Sequence, residues 1–413
     1  MIKTSLGNSK DDSNGNLKSN SRSNLEANAD STEKLDKTDE YNKSLKNNFR
    51  DLDESNNLES SEDNSEIAGI KDITNSKTQS KNSVKNRPWW ENEEESLELR
   101  PQNLLGYIGQ EKLRKQLQLI LDSAKIRETL PEHILFFGPP GLGKTTLSNL
   151  ISKELEVGFK MVTAPSLQKI GDVVSLLVNL EPNSVLFIDE IHRLKAPLEE
   201  ILYMAMEDRK VDLMVGKGQG STVTQLDLPP FVLVGATTQL GKLSKPLKDR
   251  FPNIFQLQPY NQEEILAILE RSAAILKVDI LPEAMLLLSK RSRGVPRIAN
   301  HILKRFRDLK VVHQQQVVDL KVATDFLEEV GIHHNGLTSS DLKYLESLLD
   351  GSLALKTLSG KLLEEVETLE LVTEPYLIFL GFLDKDSAGR KLTPKGREFI
   401  TRYISGKEIG LEV

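Results

Sequence analysis

Hydrophobic and polar positions change their pattern near residue 97, where short apolar runs begin to alternate with amphipathic stretches. The amphipathic stretches, near 110–127 and 144–156, are typical of helices. The apolar runs predict a short buried strand over His133–Phe137 and further strands over Phe159–Thr163, Ser184–Ile188 and Phe231–Gly235. Strands that alternate with helices indicate an α/β fold with a parallel sheet and crossover helices. We assign this large domain to residues 87–260.

The pattern changes twice more towards the C-terminus. Residues 261–331 are nearly all helical, with apolar positions at helical spacing in Glu263–Leu269 and Ala284–Leu288. Residues 332–413 contain short helices and then a turn at Asp386–Gly389, which suits a winged helix with a two-stranded wing. Three folded domains are therefore predicted in this order.

The first 86 residues have a different composition, since Ser and Asn together supply 30 of them and large apolar side chains are sparse. Such a segment buries too little apolar surface to offset the entropy lost on ordering. We predict a disordered tail, and a partner-binding arm is the alternative.

Composition excludes several classes of protein. The 413-residue chain has no cysteine, which excludes disulfides, thiolate metal sites and a cysteine nucleophile, and fits the reducing cytoplasm. No apolar run approaches the roughly 20 residues of a membrane span. The net charge of −7 leaves any nucleic-acid contact to local basic patches.

The segment Gly138–Thr145 has the spacing of a phosphate-binding loop, Gly, four free positions and then Gly-Lys-Thr. Gly141 and Gly143 allow the backbone N–H groups to turn towards phosphate oxygens. Lys144 can reach the β and γ phosphates, and the Thr145 hydroxyl can ligate Mg²⁺. A glycine-rich turn between strand and helix is the alternative, but the complete pattern in this context favours nucleotide binding.

Two further strands end in polar residues. The run Val185–Ile188 ends at Asp189 and Glu190, which would hold Mg²⁺ and activate a water, respectively. A strand between the loop strand and this one would place Thr237 or Thr238 beside the γ-phosphate. Solvated acids and ordinary strand capping are the alternatives.

Two arginines are candidates for contacts with the γ-phosphate. Arg250 lies late in the large domain, where an arginine finger for a neighbouring subunit's ATP would be expected, and such fingers raise rates by roughly 10³–10⁵. Arg297 follows Pro296 at a predicted helix start and could reach the same subunit's γ-phosphate. A solvated or ion-paired arginine is the alternative for Arg250, and a solvated basic face is the alternative for Arg297.

Two regions are candidates for partner contacts. The glycine-rich stretch inside Leu213–Gln225 has β-prone flanks and predicts a hairpin, either a docking element or an ordinary meander. Arg390, Lys391 and Lys395 give the last domain a basic tip that suits DNA phosphates. A protein-binding winged helix with a basic edge is the alternative.

The order of these motifs resembles one family, the RuvB family of Holliday-junction branch-migration motors, which are bacterial AAA+ ATPases. The resemblance covers about residues 96–400 and rests on Arg100-Pro101, Tyr107–Gln110, Gly138–Thr145, Ile188–Arg193, Met206–Asp208, Gly216–Gly218, Leu228–Phe231, Gly235–Thr238, Asp249–Phe251, Pro296–Asn300 and, more weakly, Glu374–Ile378. Family members usually have arginine at the positions of Gln239 and Lys248 and a more basic wing. The tail resembles extensions on some cyanobacterial members.

The resemblance implies an ATP-dependent motor for branch migration in recombination, DNA repair and the SOS response. It implies a homohexameric ring, a RuvA-type partner at hairpin 213–225, a RuvC-type resolvase as a further partner, and duplex DNA at four-way junctions held by Arg390, Lys391 and Lys395. Catalysis would rest on Glu190, Asp189, Arg250 and Thr238, and Mg²⁺ would be held by Thr145 and Asp189. ATP would contact Leu99, Arg100, Tyr107, Ile108, Gly138, Gly141, Gly143, Lys144, Thr145, Thr146, Tyr260 and Arg297. The runner-up function is a clamp-loader-like AAA+ switch, and a nucleotide-binding scaffold is a further rival.

Overall fold

The computed structural model describes residues 99–215, 222–313, 317–387 and 389–406. The tail predicted over residues 1–86 and the glycine-rich tip of the hairpin lie outside the described residues. The large domain begins with a loop from Leu99. Its elements follow as α1 (Glu111–Ile126), β1 (Ile134–Phe137), α2 (Lys144–Leu155), β2 (Phe159–Thr163), α3 (Ile170–Val178), β3 (Ser184–Asp189), α4 (Ala196–Asp208), β4 (Lys210–Val215), β5 (Thr222–Asp227), β6 (Phe231–Thr237), α5 (Lys245–Asp249) and β7 (Asn253–Gln256).

Five strands form a parallel sheet in the order β2-β3-β6-β1-β7. All seven residues of β6 and the first five of β3 are buried. Continuous apolar strands are expected where helices cover both faces of a parallel sheet. The α/β prediction is confirmed, and β6 lies between the loop strand β1 and the acid-bearing strand β3 as the sequence indicated.

A small helical domain, the lid, follows with α6 (Gln262–Leu276), α7 (Pro282–Arg291), α8 (Pro296–His313) and α9 (Leu320–Glu329). A capping box starts α6: the Asn261 side chain accepts the Glu264 N–H at 2.8 Å, and the Glu264 side chain accepts the Asn261 N–H at 2.9 Å. Buried lid residues such as Leu269 and Leu303 belong to the same apolar core as Phe136 of β1. The lid therefore shares a continuous apolar core with the large domain.

The C-terminal domain is a winged helix with an apolar core of its own, centred on Tyr344, Leu345 and Leu377. Its elements are α10 (Ser339–Ser347), α11 (Leu355–Leu362), α12 (Val366–Thr368), a π-helical turn (Leu369–Thr373), α13 (Glu374–Phe379), β8 (Leu383–Asp386), β9 (Gly389–Leu392) and α14 (Pro394–Ile404). Strands β8 and β9 pair antiparallel and form the predicted wing.

A separate antiparallel hairpin projects from the large domain. Strand β4 pairs with β5 from Lys210 opposite Asp227 to Val215 opposite Thr222, so the hairpin is longer than the predicted stretch 213–225. None of the helices in the described ranges has both the length and the apolar character needed to cross a membrane.

Candidate active site

Three of the parallel strands deliver the candidate chemistry to one edge of the sheet. The phosphate loop follows β1, Asp189 ends β3 and Thr237 ends β6. Because parallel strands point the same way, their carboxyl ends share one edge, which is where open α/β sheets place ligands.

The phosphate loop needs its glycines for two reasons. Gly138, Gly141 and Gly143 have φ angles of 140°, 81° and 105°, which side chains with a Cβ rarely adopt. A Cβ on Gly143 would lie 2.6 Å from the Tyr107 hydroxyl oxygen, and one on Gly138 would lie 2.5 Å from the Leu257 carbonyl oxygen. The loop is therefore fixed by surrounding backbone and side chains.

Lys144 begins α2 beneath this loop and is only 7% exposed. Its Nζ donates to the carbonyl oxygens of Gly138 at 2.8 Å and Pro139 at 3.0 Å. Burial lowers the pKa of Lys144, although the carboxylates of Glu190 and Asp189 act in the opposite direction. The ammonium group is thus held by carbonyl oxygens of the phosphate loop and lies close enough to the two acids for their charges to act on it.

The two acids have different surroundings. Burial raises the pKa of Asp189, so this carboxyl group lacks full compensation for its lost hydration. Glu190 Oε2 accepts hydrogen bonds from the Thr238 hydroxyl at 3.1 Å and the Thr238 N–H at 3.3 Å. Thr238 is absent from the cavity wall and acts on the site through Glu190.

His192 completes this cluster and was not assigned a role from the sequence. Its Nδ1 lies 3.1 Å from Glu190 Oε2 and 2.9 Å from Thr237 Oγ1. Burial lowers the pKa of His192, which favours the neutral imidazole at neutral pH. The sequence signal that could have identified His192 is its position two residues after Glu190, in the turn that follows β3.

Tyr107 and Tyr260 meet beside the loop. Their hydroxyl oxygens are 2.7 Å apart, and the Tyr260 hydroxyl donates to the Leu142 carbonyl at 3.1 Å. Burial raises the pKa of Tyr260 to about 12 and that of Tyr107 well above its usual value. Both phenols are neutral and support the phosphate loop while their rings form part of the cavity wall.

The loop, the acids and the lid enclose a cavity of about 760 Å³, within the range of small-molecule sites. Among the residues predicted to contact ATP, Gly138 does not line the cavity, but the Gly138 carbonyl oxygen accepts a hydrogen bond from Lys144. The predicted residues that do line it are Leu99, Arg100, Tyr107, Ile108, Gly141, Gly143, Lys144, Thr145, Thr146, Asp189, Glu190, Tyr260 and Arg297.

The lid adds residues that were not assigned to the site from the sequence. His301 and Lys304 line the cavity one and two turns after Arg297 on α8, a spacing that could have identified them. Arg271 of α6 donates to the carbonyls of Gly106 at 2.8 Å and Leu99 at 3.1 Å. No sequence signal identifies Arg271, because its partners are backbone atoms more than 160 residues away.

The site fits Mg²⁺ and a nucleoside triphosphate. Basic groups line the cavity with the two acids, and Thr145 and Asp189, the predicted magnesium ligands, are both in its wall. The described residues contain no group of three or more His, Cys, Asp or Glu side chains that could hold a metal. A magnesium ion here would therefore depend on phosphate oxygens and water for its other ligands, as Mg²⁺ commonly does.

The order of the domains and the geometry of this site agree with known proteins. The family model for the Holliday junction DNA helicase RuvB P-loop domain matches residues 99–257, the RuvB AAA lid domain matches 260–333, and the RuvB C-terminal winged helix domain matches 334–401. The chain belongs to the RuvB family.

Individual RuvB proteins are similar over most of their length. The RuvB subunit of the Holliday junction branch migration complex from Leuconostoc mesenteroides is 46% identical over 310 residues, 74% of this chain and 88% of that protein. Its counterpart from Helicobacter pylori is 42% identical over 309 residues, 74% of this chain and 92% of that protein. The solved structure of the Thermotoga maritima RuvB branch migration motor is 39% identical with a TM-score of 0.66, and the match covers 75% of this chain and 99% of that one.

Arg250 does not line the cavity of this RuvB-family chain. Its guanidinium pairs with the Glu207 carboxylate and lies 5.6 Å from the centroid of the Tyr203 ring. Both partners belong to α4, so the Arg250 side chain is held against this helix of the large domain.

The three predicted DNA-binding cations all have partners within the winged helix. Arg390 Nε donates to Glu374 Oε1 at 2.9 Å, and its side chain is 18% exposed. Lys391 Nζ lies 2.7 Å from an Asp386 carboxylate oxygen, and Lys395 Nζ lies 5.6 Å from the centroid of the Phe382 ring. Arg390 is therefore a structural residue of the wing.

Proposed function

We propose that this chain hydrolyses ATP to drive branch migration of Holliday junctions, together with a RuvA-type junction-binding partner. The observation that carries the proposal is the convergence of Lys144, Asp189 and Glu190 in one cavity between the large domain and the lid. RuvB-type P-loop, lid and winged-helix domains in one chain support a link between that cavity and DNA. A clamp-loader-like switch is not favoured, because it would give no reason for this C-terminal domain.

Each residue of the cavity has a defined part in the proposed reaction. Lys144 would leave the Gly138 and Pro139 carbonyls and bind the β and γ phosphates. Thr145 and Asp189 would hold Mg²⁺, which neutralises charge on the phosphate oxygens. Glu190, oriented by Thr238, would position the attacking water and accept its proton.

The catalytic unit is proposed to form between subunits. Arg250 cannot serve the cavity of its own chain without leaving Glu207, and its place outside that cavity suits a finger presented to a neighbour. Head-to-tail contacts that close into a ring are what such a finger requires, and we propose a homohexamer. Arg297 would contact the γ-phosphate within its own subunit.

DNA and protein partners are assigned to two projecting elements. The wing, with Arg390, Lys391 and Lys395, would contact duplex DNA at four-way junctions, and the β4–β5 hairpin would dock on the RuvA-type partner. A RuvC-type resolvase would act on the same junctions. We place this activity in the cytoplasm, in recombination and in the repair of DNA damage during the SOS response.

The decisive test is Glu190→Gln, which keeps the size of the side chain but removes the base. We expect the variant to bind ATP, to lose ATPase activity by roughly 10²–10⁴, and to stop migrating a synthetic four-way junction in the presence of a RuvA-type protein. Glu200→Gln, an exposed carboxylate on α4, is the matched control and should retain both activities. Migration by Glu190→Gln at the unmodified rate would refute the assignment.

A further inference from the structure

One short segment of the lid touches both the phosphate loop and the winged helix. Residues 291–297 connect the end of α7 with the start of α8. At the loop side, the Arg297 N–H lies 3.4 Å from the Gly141 carbonyl oxygen, and a Cβ on Gly141 would approach the Val295 side chain to 2.8 Å. The segment therefore lies directly on the loop that would hold the phosphates.

The same segment contacts the winged helix through Arg293. The Arg293 Nε donates to the Gly336 carbonyl at 2.7 Å, the guanidinium pairs with the Asp341 carboxylate, and its central carbon lies 4.6 Å from the centroid of the Tyr376 ring. The Arg293 side chain is 13% exposed. Arg291 adds a hydrogen bond of 2.8 Å from Nη1 to the Ile332 carbonyl, in the strand-like link that leads into the last domain.

The backbone between these contacts has little freedom. Arg293 and Gly294 are consecutive left-handed residues with φ of 58° and 65°, and the Gly294 carbonyl accepts the Tyr260 N–H at 2.9 Å. A Cβ on Gly294 would come within 2.6 Å of the Tyr260 carbonyl oxygen, and one on Gly336 within 2.4 Å of the Arg291 carbonyl oxygen. Because closely packed elements move as bodies and do not deform continuously, a rotation of the lid would carry the winged helix with it.

We propose that Arg293 is a positioning residue that makes the winged helix follow the lid, so that a change at the phosphate loop becomes a displacement of the DNA-binding domain. The inference rests on the proposed motor function. It predicts that loss of Arg293 separates ATP hydrolysis from DNA movement without removing either site, because Arg293 does not line the cavity and Arg390 pairs with Glu374 instead.

The first experiment compares Arg293→Ala with Arg305→Ala, an exposed arginine of the same domain. We expect Arg293→Ala to keep its DNA-free ATPase within about twofold and to lose junction migration by about tenfold or more, while Arg305→Ala keeps both. Arg293→Lys, which preserves the charge opposite Asp341, should recover part of the migration. Asp341→Asn should act in the same direction, and the double variant should be no worse than Arg293→Ala alone.

The second experiment measures the coupling without activity, and the absence of cysteine makes it direct. Spin labels at Glu270→Cys on the lid and Lys356→Cys on the winged helix, both exposed positions, report the distance between the two domains by electron paramagnetic resonance. In the otherwise unmodified chain we expect the same narrow distance distribution with ADP and with a non-hydrolysable ATP analogue. Arg293→Ala should broaden it, and Arg305→Ala should not.

The outcomes separate the two proposals. If the unmodified chain fails to migrate junctions, the proposed function fails. The distance measurement still reports whether Arg293 joins the lid to the winged helix. If the unmodified chain migrates junctions and Arg293→Ala does so equally well with an unchanged distance distribution, only the coupling proposal is overturned.

Discussion

The surroundings of one carboxylate, Glu190, are set by two residues that contact it, Thr238 and His192. Thr238 donates two hydrogen bonds to it, and His192 lies within hydrogen-bonding distance of both Glu190 and Thr237. Glu190 itself has a left-handed φ of 49° at the point where β3 ends and the following turn begins. The two neighbouring carboxylates thus have different surroundings, which suits the different roles that we propose for them.

We expect His192→Ala to lower kcat for ATP hydrolysis by about tenfold with little change in KM. The substitution removes a group that orients Glu190 but leaves Lys144 and the rest of the cavity intact. His192→Asn, whose amide N–H can take the place of Nδ1, should restore most of the rate. An increase in KM with unchanged kcat would contradict a positioning role, and steady-state ATPase assays distinguish the two results.

At the scale of elements, the wing is joined to its domain by a buried ion pair. Glu374 at the start of α13 is fully buried and accepts hydrogen bonds from Tyr344 at 2.7 Å and from Arg390 of β9 at 2.9 Å. Burial is the largest single influence and acts to raise the pKa of Glu374, but the hydrogen bonds from Arg390, Lys385 and Tyr344 together hold this pKa below its usual value. The strand pair β8–β9 is therefore fastened to the helices by charge as well as by apolar contacts.

Arg390→Ala should destabilise the winged helix by about 3 kcal/mol, because it leaves part of a buried carboxylate unpaired. Lys395→Ala is the control, since the contact of an exposed cation with an aromatic ring is worth about 0.5–1 kcal/mol. Thermal unfolding of both variants provides the comparison. If Arg390→Ala weakens DNA binding but leaves the unfolding temperature unchanged, Arg390 acts in DNA binding and does not stabilise the wing.

At the scale of the whole molecule, burial lowers the pKa of histidines in all three domains below the ordinary value of 6.5, namely His133, His192, His301, His333 and His334. His133 shows the cause. Its Nδ1 accepts the Leu233 N–H at 2.9 Å, a hydrogen bond that the protonated ring cannot accept. The folded protein therefore binds fewer protons than the unfolded chain between the folded and unfolded pKa values.

Stability should consequently fall as pH decreases through about 6.5, where the unfolded histidines begin to bind protons. We expect the melting temperature at about pH 5.5 to be roughly 2–4 °C below that at about pH 7.5. Most carboxyl groups titrate at lower pH and contribute little in this interval. His133→Gln should make the dependence shallower, and a flat profile for the unmodified chain would contradict the assignment.

Local patterns predicted much of the fold and of the candidate site. Strand β2 and the first turn of α2 were predicted from apolar periodicity and the loop motif, which depend on residues close together in sequence. The hairpin was predicted too short at both ends. Lys210–Asp212 and Leu226–Asp227 alternate between polar and apolar residues, and this alternation gave no clear boundary. Arg271 was missed, since its carbonyl partners are brought near it only when the lid packs on the large domain.

The sequence by itself determined the α/β class, the phosphate loop and the acids that end β3, because spacing along the chain is enough to specify them. Only the tertiary structure decided which charges face which partners. It placed Arg250 on Glu207 outside the cavity, Arg390 on buried Glu374, and Arg293 between the lid and the winged helix. A charged side chain is defined by the groups within a few ångströms of it, and those groups come from distant parts of the sequence that only folding brings together.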